Sequence, residues 1–344
     1  MKIAFFDLQS FEKDFFLRAN KSFGHEIEFI EARLNRHTAL LAERCKVVCA
    51  SARDTLDGPT LTQLKSCGVE LIALRSTGFN QVDLNCSANL RIPVIRIPAY
   101  ATAAVAEFAV SLMLCLSRKI HLAHHRMAVG SDSLEDLVGF ELQGKTVGIF
   151  GTGKTGSAVA RILSDGFGCQ VLACDPVENL LLSQQQTVQY VKAGDVFRYS
   201  DIVSLHLPLT PATRHWVDRE AISAMRSGSM LINIGPSALV ESSALIAALK
   251  SGQVGFGGMD LFEEQEGIYF QEADGERLQP EAIRKLISFS NVLITPHQAY
   301  LTRENLSRIA EVTLSGVSSF EKGDTLENVV RPEMVRAGQW LNTA

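Results

Sequence analysis

The stretch Lys145-Thr146-Val147-Gly148-Ile149-Phe150-Gly151-Thr152-Gly153-Lys154-Thr155-Gly156 leaves the chain around it few ways to fold. Residues 147–150 form an apolar run that reads as a strand. Gly151, Gly153 and Gly156 follow at G-x-G-x-x-G spacing, and residues 157–163 have helical periodicity. Each glycine answers a separate steric demand. The first permits the tight strand-to-helix turn, the second lets a pyrophosphate approach the backbone, and the third lets helix and strand pack closely. The helix N-terminus offers free N–H groups and the positive end of its dipole to phosphates. A second apolar strand, Gln170–Cys174, ends in Asp175, about 20 residues beyond the last glycine, where a carboxylate takes a ribose 2′-hydroxyl. The pattern predicts a dinucleotide site for NAD rather than NADP: Asp175 repels a 2′-phosphate, and no arginine follows it in Asp175-Pro176-Val177-Glu178.

A chain of 344 residues has room for roughly two domains, and 46% apolar content is enough for two cores. The net charge of −5, with no basic run, argues against a nucleic-acid footprint or a polybasic membrane patch, and favours small-molecule chemistry. The opening Met1-Lys2-Ile3-Ala4-Phe5-Phe6-Asp7 is too short a run for a signal peptide, and no apolar run reaches membrane length, so a cytoplasmic protein is expected. The seven cysteines are odd in number and scattered without a C-x-x-C pair, which suggests neither a disulfide framework nor a zinc knuckle.

Up to about residue 97, short apolar strands (3–6, 27–30, 46–50, 70–74 and 93–95) alternate with helical stretches such as 60–66, the pattern of an α/β unit with a parallel sheet. At its strand ends stand Arg75-Ser76-Thr77-Gly78-Phe79-Asn80 and Ile97-Pro98-Ala99-Tyr100, where ligands bind in such sheets. Gly78 is either an ordinary turn or a place where backbone N–H groups hold an anion. Residues 101–126 read as one long helix carrying His121, His124 and His125. No acid shares that face, and histidines near a helix C-terminus are favoured by the dipole, so a metal site is not expected. Beyond the glycine motif, apolar strands recur near 201–207, 230–234, 254–260 and 291–295, with helices such as 242–250 between them, completing a doubly wound sheet. The amphipathic run 303–322 needs a surface to cover its apolar face, most economically the first unit.

These residues together resemble the D-isomer-specific 2-hydroxyacid dehydrogenases, most closely the bacterial D-lactate dehydrogenase branch. The resemblance spans nearly the whole chain. It rests on Arg75–Asp83, Ile97-Pro98-Ala99-Tyr100, the glycine motif with Asp175, Ser204-Leu205-His206-Leu207-Pro208-Leu209-Thr210, Gly258-Met259-Asp260-Leu261-Phe262 and Thr295-Pro296-His297-Gln298-Ala299-Tyr300. It implies an α/β architecture of two Rossmann-like or flavodoxin-like doubly wound domains with a cleft between them. One is a discontinuous substrate domain, 1–100 with 300–344; the other is an NAD domain, 101–299, through which a homodimer forms. The resemblance assigns Lys154, Thr155, His206, Pro208, Thr213, Ile234, Gly235 and Asp260 to the cofactor along with the motif glycines, and Arg75, Thr77, Gly78, Tyr100 and Tyr300 to the substrate.

In that family hydride passes between the nicotinamide and C2 of a 2-oxo acid. An arginine clamps the carboxylate, a histidine gives the carbonyl oxygen its proton, and a glutamate raises the histidine's pKa. The histidine maps onto His297. The arginine position holds Pro236, in Asn233-Ile234-Gly235-Pro236-Ser237-Ala238-Leu239-Val240-Glu241, and the glutamate position, five residues beyond Asp260, holds Gln265. A charge-assisted hydrogen bond contributes about 1.5–3 kcal/mol, and an arginine fork makes two, so its loss costs on the order of 10² to 10⁴ in rate on a carboxylate substrate. Proline has neither charge nor N–H to replace it. Gln265 can orient an imidazole but cannot stabilise its charge. Two readings follow: an NAD-dependent oxidoreductase with altered specificity or reduced activity, its substrate carboxylate held by Arg75 or the Gly78 amides, or an inactive NAD-binding sensor or interaction protein that kept the fold.

Overall fold

The computed structural model describes residues 1–98, 101–260, 271–273, 276–278 and 281–333. The chain divides into two units, Met1–Tyr100 with Leu301–Ala344, and Ala101–Tyr300. Each is built on a parallel sheet, and the reason is visible in the strands. Val47–Ala50 and Leu71–Leu74 are buried at every position, as are four of the five residues in Thr146–Phe150. Strands covered on both faces read as continuous apolar runs rather than alternations.

In the first unit the strands are β1 (Lys2–Phe5), β2 (Glu26–Phe29), β3 (Val47–Ala50), β4 (Leu71–Leu74) and β5 (Val94–Ile95), and the strand Val329–Val330 joins from the far end of the chain. The order is Val329–Val330, β5, β4, β3, β1, β2, parallel throughout except that Val329–Val330 runs antiparallel to β5. The helix Arg303–Lys322 packs on the helix Ser10–Asn20 and on β4. It comes so close to β5 that a Cβ at Gly316 would sit 2.6 Å from Ile95 Cδ1. His25 Nε2 and Ser318 Oγ, 2.9 Å apart, tie the helix further to the same unit.

The second unit holds β6 (Thr146–Phe150), β7 (Gln170–Cys174), β8 (Val188–Tyr190), β9 (Ile202–Leu205), β10 (Ser229–Asn233) and β11 (Val254–Asp260), a separate hairpin of β12 (Gln271–Ala273) and β13 (Glu276–Leu278), and β14 (Val292–Thr295). The main sheet runs β14-β11-β10-β9-β6-β7-β8, all parallel. The chain leaves β6 to build β7 and β8 on one side, then returns to build β9, β10, β11 and β14 on the other. That reversal creates a crevice at the carboxyl ends of β6 and β9.

One sequence expectation is corrected. The 101–126 run is two helices, Thr102–Ser117 and Ile120–Ala128, separated by Lys119 in left-handed conformation at φ 52. The break has a tertiary cause. Ser117 O accepts from Phe140 N at 3.1 Å, and Gly139 lies so close that a Cβ there would stand 2.1 Å from that oxygen. The returning chain takes the carbonyl that a continuing helix would have used.

Candidate active site

Six strands of the second sheet deliver the candidate residues to one edge. Gly151 follows β6, Asp175 follows β7, His206 follows β9, Ile234 follows β10, Asp260 ends β11, and His297 lies two residues beyond β14. Because all these strands are parallel, their carboxyl ends converge, and residues 175, 206, 234, 260 and 297 are brought to the edge where Gly151 turns.

The glycine turn fits a dinucleotide phosphate. A Cβ at Gly151, which has φ 87, would lie 2.5 Å from His206 O, and a Cβ at Gly156 would lie 1.8 Å from Gly151 O, so both positions need glycine for packing. A Cβ at Gly153 would meet nothing within 4 Å, which leaves open space where a phosphate would approach. Gly153 is the N-cap of the helix Lys154–Arg161, so the first-turn N–H groups of Lys154 and Thr155 face that opening without intrahelical acceptors. Asp175 is held ready: its carboxylate accepts from Thr152 N at 2.6 Å and Val177 N at 2.9 Å, keeping further lone pairs for a ribose hydroxyl.

A brace behind this loop is not visible in the sequence. Tyr190 Oη donates to Thr152 Oγ1 at 2.8 Å and accepts from Asn179 N at 2.9 Å. Ser157 Oγ donates to Thr152 O at 2.6 Å, and Asn179 Nδ2 donates to Ser157 Oγ at 3.0 Å. A lone tyrosine and a lone asparagine carry no motif, so only the fold discloses them. On the other side of the crevice His206 Nε2 lies 3.0 Å from Ser204 Oγ, while its buried Nδ1 has no hydrogen-bond partner among the described residues. Burial lowers the His206 pKa to about 4, so the ring is neutral at ordinary pH. An orphaned polar atom beside a phosphate loop is what a cofactor site leaves. The next loop is closed by Thr213, whose Oγ1 donates to Pro208 O at 2.6 Å and accepts from Thr210 N at 2.8 Å.

His297, the candidate proton donor of the sequence reading, lies in the loop after β14. Its backbone is held at φ 54, a conformation non-glycine residues rarely adopt and which functional sites concentrate. Asp260 organises the loop that strains it, accepting from Thr295 Oγ1 at 2.6 Å, Gln298 N at 2.9 Å and Ala299 N at 2.7 Å. His297 reaches solvent, yet the protein around it desolvates the ring and pulls its pKa below the ordinary imidazole value, with the Asp260 charge opposing. The Tyr300 ring lies 5.5 Å from the imidazole, centroid to centroid.

Pro236 stands after β10 as the N-cap of a short 3₁₀ turn, Ser237–Leu239. Asn233 shapes that loop, donating from Nδ2 to Pro236 O at 3.0 Å and accepting from Gly235 N at 3.1 Å. Arg226 offers no replacement, being bonded to Asp201 at 2.8 Å. Gln265 and Tyr100 lie outside the described residues.

In the first unit Thr77 and Gly78 follow β4; Thr77 O accepts from Arg96 Nη1 at 2.8 Å, Gly78 O from Ser76 Oγ at 2.7 Å, and a Cβ at Gly78 would meet nothing within 4 Å. Arg75 is a correction. Its side chain is 3% exposed and its guanidinium is engaged on every side, with Glu12 Oε1 at 3.1 Å, Glu12 Oε2 at 3.3 Å, Phe6 O at 3.1 Å, Cys49 O at 3.4 Å and Asp7 O at 3.3 Å. The guanidinium also stacks on Phe5, 4.0 Å from the ring centroid. An arginine so placed holds the sheet to its helix and has no N–H left for a substrate carboxylate.

Known proteins share this fold. The D-isomer specific 2-hydroxyacid dehydrogenase NAD binding domain matches residues 110–299. The chain is 42% identical over 330 residues to 2-hydroxyacid dehydrogenase homolog 1 of Schizosaccharomyces pombe, covering 96% of this chain and 99% of that one. The apo-structure of D-lactate dehydrogenase from Escherichia coli aligns with TM-score 0.89 at 40% identity, over 96% of this chain and 100% of that one. D-lactate dehydrogenase with NAD+ from Lactobacillus jensenii aligns with TM-score 0.81 at 31% identity, over 96% and 99%.

Proposed function

Since the chain belongs to the D-isomer-specific 2-hydroxyacid dehydrogenases, we propose that it is an NAD-dependent oxidoreductase acting on a 2-oxo or 2-hydroxy acid, or a related carbonyl or alcohol, and that its turnover of small 2-oxo acids is reduced. The observation that carries this reading is His297, held in a strained backbone by the three hydrogen bonds of its loop to Asp260. Bound NAD(H) supplies the hydride. In the reducing direction His297 gives its ring proton to the carbonyl oxygen as C2 accepts hydride, and the neutral imidazole takes the proton back when the alcohol is oxidised. A pKa held below the ordinary value leaves less imidazolium at neutral pH, so carbonyl reduction improves as the pH falls. The substrate contacts in this reading are Thr77, Gly78, Tyr100 and Tyr300.

The reduced turnover follows from Pro236 and Gln265, which supply neither the ionic clamp nor the charge that raises a histidine pKa. Those two residues also favour the second reading, an inactive NAD-binding sensor. The protein in this proposal is a cytoplasmic homodimer. All seven cysteines are free, and Met127, Val129, Leu134 and Val138 of the second unit expose apolar surface that a second copy would cover.

The test follows NADH oxidation against a panel of 2-oxo acids, aldehydes and ketones, with NADH and NADPH binding titrated in parallel. NADH should bind more tightly than NADPH, and at least one carbonyl should turn over and lose kcat in His297→Ala while NADH binding survives. Tight NADH binding with no turnover of any carbonyl selects the sensor.

A further inference from the structure

The first sheet has a switch point of its own, between β1 and β3, because β2 is built on one side of β1 and β3, β4 and β5 on the other. Ligands of open parallel sheets bind outside the carboxyl ends of the strands at such a point. The chain leaving β1 there turns through Asp7, a 3% exposed residue in left-handed conformation at φ 49. The chain leaving β3 brings Ser51 and Arg53. Asp7 Oδ2 accepts from Ser51 Oγ at 2.7 Å and from Arg53 Nε at 2.9 Å, and Oδ1 accepts from Arg53 Nη2 at 2.7 Å and from Gln9 Nε2 at 3.3 Å. Ser51 is itself fixed, its N–H donating to the buried Asp54 and its carbonyl accepting from Gln81 Nε2.

A guanidinium has two edges that can fork onto a carboxylate. Asp7 takes the Nε/Nη2 edge of Arg53, and Nη1 makes no hydrogen bond among the described residues, so the Nη1/Nη2 edge is left over. The side chain is 36% exposed although its partner is buried. Arg75, at the end of the neighbouring β4, shows what a structural arginine looks like in this sheet: enclosed, and engaged on every side. Arg53 is instead immobilised on one edge and presented on the other, which lowers the ordering cost of binding an anion.

We propose that the Asp7–Arg53 pair is the anion-recognising element of the first unit, Arg53 offering its Nη1/Nη2 edge to a carboxylate of the substrate. The substrate class rests on the proposed function. Arg53 is then the specificity-determining residue and Asp7 the group that positions it.

The test titrates oxamate, a stable 2-oxo acid mimic, and its uncharged analogue oxamide into the full chain saturated with NADH. Arg53→Gln should weaken oxamate binding about 10- to 100-fold and leave oxamide binding unchanged. Arg53→Lys, which keeps the charge and loses the fork, should recover only part of the loss. Wild-type affinity for oxamate in a folded Arg53→Gln protein overturns the inference, as does absence of oxamate binding by the wild type. If Arg53→Gln does not fold, Arg53→Lys decides: full oxamate affinity overturns the proposal and a several-fold loss sustains it. The failure of this inference and that of the proposed function look different. Turnover of 2-oxo acids with a KM indifferent to Arg53 overturns this inference and leaves the proposed function standing. Arg53-dependent oxamate binding without any NADH oxidation does the reverse.

Discussion

In the proposed reaction His297 gives up its ring proton, and the sequence has Pro236 and Gln265 at the positions where the family resemblance expects an arginine and a glutamate. Pro236 has no charge or N–H, and Gln265 accepts a hydrogen bond without stabilising an imidazolium. Replacing Pro236 by Arg and Gln265 by Glu together should therefore raise pyruvate reduction by at least about tenfold, the inverse of losing a charge-assisted pair. The two changes should cooperate, because the clamp orients the carbonyl that the histidine protonates. Steady-state rates of the two single variants and the double variant measure this. Brisk pyruvate turnover by the wild type would show that another group already holds the carboxylate. A second residue prediction concerns stability. Burial raises the Asp54 pKa from 3.8 to about 6, against the lowering effects of Arg75 and of the N–H groups of Leu34 and Ser51. A carboxyl whose folded pKa is raised lends stability below its unfolded pKa and loses it as pH rises through about 6. Urea unfolding of wild type and Asp54→Asn between pH 4 and pH 7 should show the asparagine variant gaining on the wild type by about 2 kcal/mol as pH rises. A pH-independent difference would show that Asp54 is ionised throughout.

Within the element from β6 to the helix Lys154–Arg161, three glycines that look alike in sequence meet different surroundings. At Gly156 a Cβ would collide with the backbone oxygen of Gly151 at 1.8 Å, so Gly156→Ala should destabilise the second unit by about 1–3 kcal/mol and abolish NADH binding. At Gly153 a methyl group meets open space, so Gly153→Ala should unfold like the wild type yet bind NADH about tenfold more weakly, since the methyl occupies the phosphate's approach. Thermal unfolding and NADH fluorescence on the two variants separate packing from binding. Equal NADH affinity in Gly153→Ala and wild type would remove the phosphate from that position. The brace of Tyr190, Asn179 and Ser157 explains how so glycine-rich a turn keeps one shape.

The whole molecule is threaded so that the first unit is finished only after the second is built. Arg303–Lys322 and Val329–Val330 return to pack on Ser10–Asn20, β4 and β5. A protease that nicks the connections should release a resistant core near residues 101–299, with the 1–100 segment degraded once its C-terminal partner is lost. Mass spectrometry of a trypsin time course identifies the fragments. A stable fragment of residues 1–150 would count against this organisation.

What the sequence by itself determined was local or carried by unbroken patterns. Parallel strands buried on both faces announce themselves as apolar runs, and the glycine spacing with Asp175 defines a phosphate turn because its parts lie within one strand-helix-strand unit. His297 could be singled out as a candidate, and Pro236 and Gln265 set at the arginine and glutamate positions, because each sits in a contiguous motif. The tertiary structure decided whatever depends on a distant partner. The helix after residue 101 stops at Ser117 because Phe140, far along the chain, claims its carbonyl, and no glycine or proline marks the place. Two arginines at neighbouring strand ends were indistinguishable as letters. Arg75 became structural by meeting Glu12, 63 residues away, while Arg53 met Asp7, 46 residues away, with one edge to spare. A charge takes its role from the groups that the order of strands places opposite it, and that order is a property of the folded sheet.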